Sequence, residues 1–230
     1  MGAKISTRPR LQPDDVVDRA MEMADSEGLD AVTIRRLAQE LGVTPMALYW
    51  HFADKEALMV AISERMWADV ARLMPADQAW APEAAGGWGE LRAITAALVS
   101  VLRRHPGCAT LAPLGVFTSE AGLDITERVL EILDRLGIPA DLGGETAHFV
   151  LSSAITMVAT RPGGDVSVED REAHLRAKKA GLASLPPDRY PRVTAMAGQL
   201  VDCPDTEGYF ERGIDFVIGG IQASGPAPRG

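Results

Sequence analysis

The residues best suited to chemistry lie between positions 33 and 55, in the run TIRRLAQELGVTPMALYWHFADK. Met46, Ala47, Leu48, Tyr49, Trp50, His51 and Phe52 cannot all enter a core, because a helix of about 3.6 residues per turn directs only one stripe inward. Leu48 and Phe52 share that stripe. Pro45, Met46, Ala47, Tyr49, Trp50 and His51 are then expected on or near the surface, where rings and methyls are costly unless something covers them. Met46 and Ala47 suit the thymine methyl, and Tyr49 and His51 can donate to phosphate oxygens. The chemistry on offer is contact with duplex DNA. A plain amphipathic helical pair with aromatic packing is the alternative reading of the same spacing.

Other reactive side chains are scattered. His105 and Cys108 are three apart, but two ligands are too few for zinc and no second pair is suitably spaced. The chain has no glycine-rich phosphate motif, nucleophile elbow or H-E-x-x-H run. No catalytic residue, metal or cofactor is expected. Cys108 and Cys203 make no disulfide framework and read as apolar thiols, with a redox role for Cys108 the lesser alternative.

The elements that must hold this surface are legible nearby. Thr33 is placed to cap a helix whose apolar face is Ile34, Leu37, Ala38 and Leu41. Gly42 stands where a left-handed residue stops a helix, and Thr44-Pro45 opens the next one. Helix, glycine turn, helix is the arrangement of a helix-turn-helix, whose second helix (44–51) lies in the major groove. Upstream, Pro13 starts a helix with Asp14 and Asp15 at its positive end; Val16, Val17, Ala20, Met21 and Ala24 form its buried stripe, and Gly28 ends it. Downstream, Asp54 caps a helix reaching about position 73.

The whole chain of 230 residues is 47% hydrophobic and poor in aromatics, which favours helix-on-helix packing in one or two domains. No signal peptide opens it. Its longest charge-free segment, 146–160, is shorter than the roughly 20 residues a spanning helix needs. A cytoplasmic protein with no membrane partner is expected. The net charge of −9 is awkward for a DNA binder, and residues 1–73 hold 9 Lys and Arg against 12 Asp and Glu. Lys4, Arg8 and Arg10 concentrate base in an arm, 1–11, which either tracks the DNA backbone or is a solubilising tail.

The pattern predicts an all-α chain: a three-helix DNA-binding domain over 1–73, a Pro- and Gly-rich linker over 74–89, a helical domain over 90–223 and a disordered tail over 224–230. Within the second domain, helical periodicity covers 91–104, 120–136, 144–160 and 206–223. Residues 167–185 form a charged surface helix with Glu172 and Arg176 as an i,i+4 pair. The helix at 144–160 is apolar or small on every side, so one face packs on its own domain and another meets a partner. Between helices, Leu98, Val101, Leu102, Leu111, Leu114, Phe117, Phe149 and Met157 are candidates to line a small-molecule pocket. Trp88, His105, His148 and Thr156 are its candidate polar handles.

LAQELGV, then LYWHF, then Lys55 and the apolar helix of Ala57, Leu58, Ala61 and Ile62, resemble the DNA-binding domain of the tetracycline-repressor family. The resemblance runs ungapped over 13–66, with LYWH nearest the tetracycline-responsive branch; beyond 66 it is one of helix layout. It implies a ligand-responsive repressor that binds an approximately palindromic operator on double-stranded DNA as a homodimer and is released by a small-molecule effector. By that resemblance Thr33, Thr44, Tyr49 and Lys55 hold phosphates. Arg35, Pro45, Met46 and Ala47 face base edges, supported by Trp50 and His51. The 144–160 helix, with Ser153, and the last helix, through Phe210, Ile214, Val217, Ile218 and Ile221, look like that family's four-helix dimer interface, with a monomeric core as the alternative. Where the family's tetracycline binders place polar groups and histidines around a magnesium–drug chelate, this chain has Ala93, Ala97, Leu111 and Leu114. That departure implies a larger, more apolar ligand. The rival reading is a helical small-molecule-binding protein or enzyme whose helix-turn-helix serves protein contacts.

Overall fold

The computed structural model describes residues 11–74, 82–161 and 171–224. Residues 1–10 of the basic arm, residues 75–81 of the expected linker and nearly all of the tail lie outside the described residues. Among those described, every regular element is helical, and no helix is long and apolar enough to cross a membrane.

Helix α1 (Pro13–Glu27) begins at proline, and the Gln12 N–H donates to the Asp15 carboxylate in its first turn at 3.1 Å. Val16, Val17, Ala20, Met21, Met23 and Ala24 are its buried side, and it stops at Gly28, whose φ of +87° is open to glycine at little cost. After a 3-10 turn (Leu29–Ala31) come α2 (Ile34–Glu40), α3 (Pro45–Tyr49) and α4 (Lys55–Leu73). The Asp54 carboxylate caps α4 by accepting the Ala57 N–H at 2.8 Å. Leu58 and Ile62, in the first half of α4, are fully buried, and so are Met66, Trp67 and Val70 in the second. The helix packs on α1 and also on the helices that follow it. One hydrophobic core therefore runs through it from the N-terminal helices into the rest of the chain.

Helix α5 (Pro82–Arg104) is the axis of the second half. It is followed by a 3-10 helix (Pro106–Leu111), α6 (Ala112–Gly115), α7 (Glu120–Arg135) and α8 (Ala140–Ala159). Helices α9 (Arg171–Ala183), α10 (Pro191–Ala195) and α11 (Ala197–Val201) pack chiefly on one another. Helix α12 (Thr206–Ser224) returns to lie on α5 and α8, tied to α5 by Arg92–Asp215 at 2.8 Å and by the Arg103–Glu207 pair.

Two boundaries differ from the sequence reading. Residues 82–89, assigned to a linker, are the first turns of α5. Glycine propensity, worth up to about 1 kcal/mol per residue against a helix, is overridden by packing: a methyl at Gly87 would stand 2.9 Å from the Leu136 side chain, so glycine there admits α7. Helix α8 starts at Ala140, directly after Pro139, one turn before the expected 144.

Glu90 is a buried carboxylate on α5, 5% exposed. Arg135 grips it with two bonds, at 3.1 and 2.6 Å, and Arg128 adds a third at 3.3 Å, joining α5 to α7. The hydrogen-bonded Arg135 guanidinium holds the Glu90 carboxyl below the usual range against the opposing pull of burial, and the charge of Arg128 adds to it. With the folded pKa depressed, the contribution to stability is present above the unfolded value, about 4.3, and lost as pH falls through the folded one. Glu90→Gln should cost about 1–3 kcal/mol at neutral pH. In denaturant titrations its gap to the parent chain should close in acid; a gap of constant size from pH 7 downward would assign the cost to packing instead.

Candidate nucleic-acid interface

The turn between α2 and α3 is built by local bonds. Thr33 Oγ1 accepts the Arg36 N–H at 3.3 Å and opens α2. Gly42, at φ +64°, closes it, with Gly42 N–H donating to Gln39 O and Val43 N–H to Ala38 O at 2.9 Å. Thr44 Oγ1 then accepts the Ala47 N–H at 3.3 Å, and Pro45 takes the first position of α3. The helix is shorter than the expected 44–51: it ends at Tyr49, while the N–H groups of His51 and Phe52 both reach back to Leu48 O at 2.9 Å.

Leu48 and Phe52 point inward, at 0% and 6% exposure, whereas Met46 is 65% exposed, Tyr49 48% and Trp50 83%. Pro45 and His51 are exposed and Ala47 is half-buried. A methionine and two rings thus share one solvent-facing surface, flanked by exposed Thr33, Arg35, Thr44 and Lys55. The two threonine oxygens accept from helix N–H groups, which leaves their O–H groups to donate outward. Lys55 Nζ, in the first turn of α4, donates to Leu29 O of the 3-10 turn at 3.2 Å.

The distribution of charge explains how an acidic chain can present this surface to an anion. Arg19 pairs with Glu22 and Glu40, Arg36 with Glu27 and Glu40, Arg65 with Asp18 and Asp69, and Arg72 with Asp69. Arg35 carries no ion pair among the described residues and is exposed. Residues 41–53 contain no acidic side chain, and Asp54 beyond them is occupied as a cap. That acid-free stretch, legible in the sequence, is a sharper signal of the interface than the net charge of residues 1–73.

The candidate pocket residues do not converge. Leu98, Val101 and Leu102 are fully buried on α5, and Leu111 is nearly so. Trp88 and Met157 are half-buried, and the Met157 thioether occupies the space that a methyl on Gly213 would need. Leu114, Phe117, His148, Phe149 and Thr156 are exposed. His105 is not a free handle: its Nδ1 meets the Asp25 carboxylate of α1 at 2.8 Å. An 80-residue separation in sequence hid that partner.

The residues of the expected dimer stripe divide between two sides of α12. Phe210, Ile214 and Ile218 are 3–6% exposed, packed into the core of their own chain. Val217, Ile221 and Ser153 are half-buried. The outward apolar side of α8 and α12 is instead Leu142, Phe149 and Phe216, the last 76% exposed. These residues, with Ile138, Val217, Gly220 and Ile221, line an open groove of about 510 Å³. The i,i+4 stripe of α12 marks its inner side, and Phe216, off that stripe, was the sign that a second side is apolar. A second groove of about 600 Å³ lies between α9 and α11, around Arg176, Lys179 and Gln199.

With this geometry in hand, comparison with known proteins is direct. A family model described as bacterial regulatory proteins, tetR family, matches residues 16–62, and one described as tetracyclin repressor-like, C-terminal domain, matches residues 81–224. An HTH-type transcriptional regulator of Saccharopolyspora erythraea is 26% identical over 224 residues, covering 95% of this chain and 87% of the relative. The class C tetracycline repressor protein of Escherichia coli is 28% identical over 215 residues, 93% of this chain and 91% of that one. Among solved structures, the Streptomyces coelicolor TetR family protein ActR in complex with actinorhodin superposes with a TM-score of 0.73 at 23% identity, over 96% of this chain and 100% of that one.

Sulfur chemistry does not compete with a DNA-contacting role. Cys108 is fully buried, and burial first, then the charge of Asp25, pushes its thiol up to about 12. The described residues hold no cluster of three or more His, Cys, Asp or Glu that fits a metal ion. A thiol reagent at pH 8 should titrate half-buried Cys203 in the native protein and reach Cys108 only on unfolding. Rapid native modification of both sulfurs would contradict this packing.

Proposed function

The chain belongs to the tetR family of bacterial regulatory proteins and is by that membership a ligand-responsive DNA-binding repressor, and we propose that it reads an approximately palindromic operator as a homodimer. The observation that carries the DNA assignment is the α3 surface: Met46, Tyr49 and Trp50 exposed together on an acid-free stretch beside Arg35, which carries no ion pair among the described residues. Arg35, Pro45, Met46 and Ala47 would meet base edges in the major groove. Thr33, Thr44, Tyr49 and Lys55 would hold phosphates on either side, with Trp50 and His51 supporting the contact.

Dimerisation would use the outward side of α8 and α12. Leu142, Phe149 and Phe216 are too large and too contiguous to leave in water without cost. Gly219 and Gly220 on the same helix meet nothing of their own chain within 4 Å, which leaves room for a partner helix at backbone distance. An isologous pairing of this side on itself would give the assembly two copies of α3, one for each half-site.

The effector would be a small, largely apolar molecule. ActR was solved in complex with actinorhodin; ligand binding is extended from it to this chain, and its seat here would be the second domain. Leu111 and Leu114 stand on the segment following α5, where a chelate-binding relative needs polar groups. For release to be near complete, the effector must favour the DNA-incompetent state by about 5.5 kcal/mol.

Three substitutions test this reading. Arg35→Ala should cost about 1–3 kcal/mol and relax preference at one base pair per half-site. Lys55→Ala should weaken binding evenly across sequences and flatten the salt dependence by about one unit of slope for each phosphate that the lysine had neutralised. Phe216→Glu should yield monomers in sedimentation and abolish cooperative operator binding. Bandshifts with the upstream region of the protein's own gene provide the assay; if Arg35→Ala and Lys55→Ala both bind as the parent does, the α3 surface is not the reading surface.

A further inference from the structure

The junction between α1 and the second domain is held by one carboxylate from far along the chain. Asp25 Oδ1 accepts the Gly107 N–H at 2.9 Å, and Oδ2 meets His105 Nδ1 at 2.8 Å. Both side chains are well covered, at 22% and 29% exposure. Helix N-termini are ordinarily capped by the residue just before them. Here that residue is His105, which makes no side-chain cap bond, and the 3-10 helix Pro106–Leu111 takes its cap from α1 instead.

The approach is backbone on backbone. A methyl at Gly107 would stand 2.1 Å from Ala24 O and 2.5 Å from its carbonyl carbon. The far end of the same segment is tied to α4, where Ala112 O accepts Ser63 Oγ at 3.2 Å and Trp67 Nε1 at 2.8 Å. Ser63 and Trp67 are buried side chains on a helix that both domains share, so that tie is part of the common core. The Asp25 tie is different. It lies at the rim, is polar, and joins the second domain to the helix that carries α2 and α3.

We propose that Asp25 is a positioning residue that sets which operator spacing the protein accepts. Its two bonds fix the angle of α1 against the second domain, and through α1 the place of α3 relative to its copy in the partner subunit. This inference rests on the homodimeric reading above. Each added base pair moves a half-site about 3.4 Å along the duplex and turns it by about a tenth of a helical turn, so the angle of each head decides which spacing fits. With the cap in place one spacing fits; with the cap released the heads swing about α4 and accept several. Base preference within each half-site is untouched, because Asp25 is bonded to His105 and Gly107 and contributes no side chain to the α3 surface.

The experiment is a binding series on duplexes that carry two identical half-sites with the spacer varied one base pair at a time. The parent chain should favour one spacing sharply. Asp25→Ala should lose about three- to tenfold of that discrimination, the size of coupling that single junction residues carry, with half-site preference unchanged. Asp25→Asn keeps an oxygen for the Gly107 N–H and nearly the same shape, so it should stay closer to the parent and remain folded. Gly107→Ala forces the same junction apart with Asp25 intact and should broaden spacing in the same way. A role in stability alone predicts equal weakening at every spacing, and that result, or no change, overturns the assignment. A parent chain indifferent to whether half-sites are paired would overturn the homodimeric reading and this role with it. A parent that selects one spacing, with Asp25→Ala variants that select it equally, would sink only the role of Asp25.

Discussion

A helix of five residues cannot hold itself in water, because nucleating one turn costs more than so few bonds return. Helix α3, Pro45–Tyr49, therefore stands where its anchors put it. Thr44 and Pro45 fix its entry, and Leu48, at 0% exposure, is its one fully buried side chain. The turn after it ends on Phe52, also buried, whose N–H shares Leu48 O with that of His51. Because two apolar side chains on one stripe carry the anchoring, every other side chain of the helix is free to face outward. Met46, Tyr49 and Trp50 are exposed because packing α3 does not need them, and a surface of rings and methyls in water needs an occupant.

The electrostatics follow the same economy. A chain at −9 would repel DNA if its charges were spread evenly. They are not. Of the acids in the N-terminal helices, Asp18, Glu22, Glu27, Glu40 and Asp69 are paired with Arg19, Arg36, Arg65 and Arg72, and three of these contacts, Arg19–Glu40, Arg36–Glu27 and Arg65–Asp18, link neighbouring helices. At these exposed sites each pair is worth little as stability. They offset part of the negative charge away from α3, while the α3 surface itself offers Arg35 and Lys55 beside a stretch, 41–53, with no acid. Long-range attraction is modest, and affinity rests on contact and on pairing two heads.

The features legible in the sequence are those decided locally. Thr33, Gly42, Thr44 and Asp54 work through bonds to residues within a few positions of themselves, and the structure has each doing so. The inward stripe of Leu48 and Phe52 follows from helix period alone. What stayed hidden depends on residues distant in sequence. Gly87 looks like a helix breaker until Leu136 fills the space beside it. His105 looks like a free polar group until Asp25 arrives from α1. On α12 the period reveals a stripe but not whether it faces the chain's own core or a partner. Phe210, Ile214 and Ile218 take the first role, leaving Phe216 to mark the second. The leucines of α5 illustrate the same limit: a buried side chain in a core and one lining a cavity share one pattern.

Helix α4 joins the N-terminal helices to the second half of the chain. Leu58 and Ile62 belong to the core of the N-terminal helices, while Met66, Trp67 and Val70 lie in the part of the core shared with the second half, and all five are on one uninterrupted helix. A rod buried at both ends cannot shift at one end without moving the other, since close-packed interiors transmit displacement rather than absorb it. Gly115 brings α6 against Ser63 and Trp67 so closely that a single methyl there would collide with both. A ligand that displaces the segment between α5 and α7 by a fraction of an ångström therefore acts on α4 directly. No relay of intervening residues is required: the effector domain and the reading head are in contact through the same side chains that hold each of them folded.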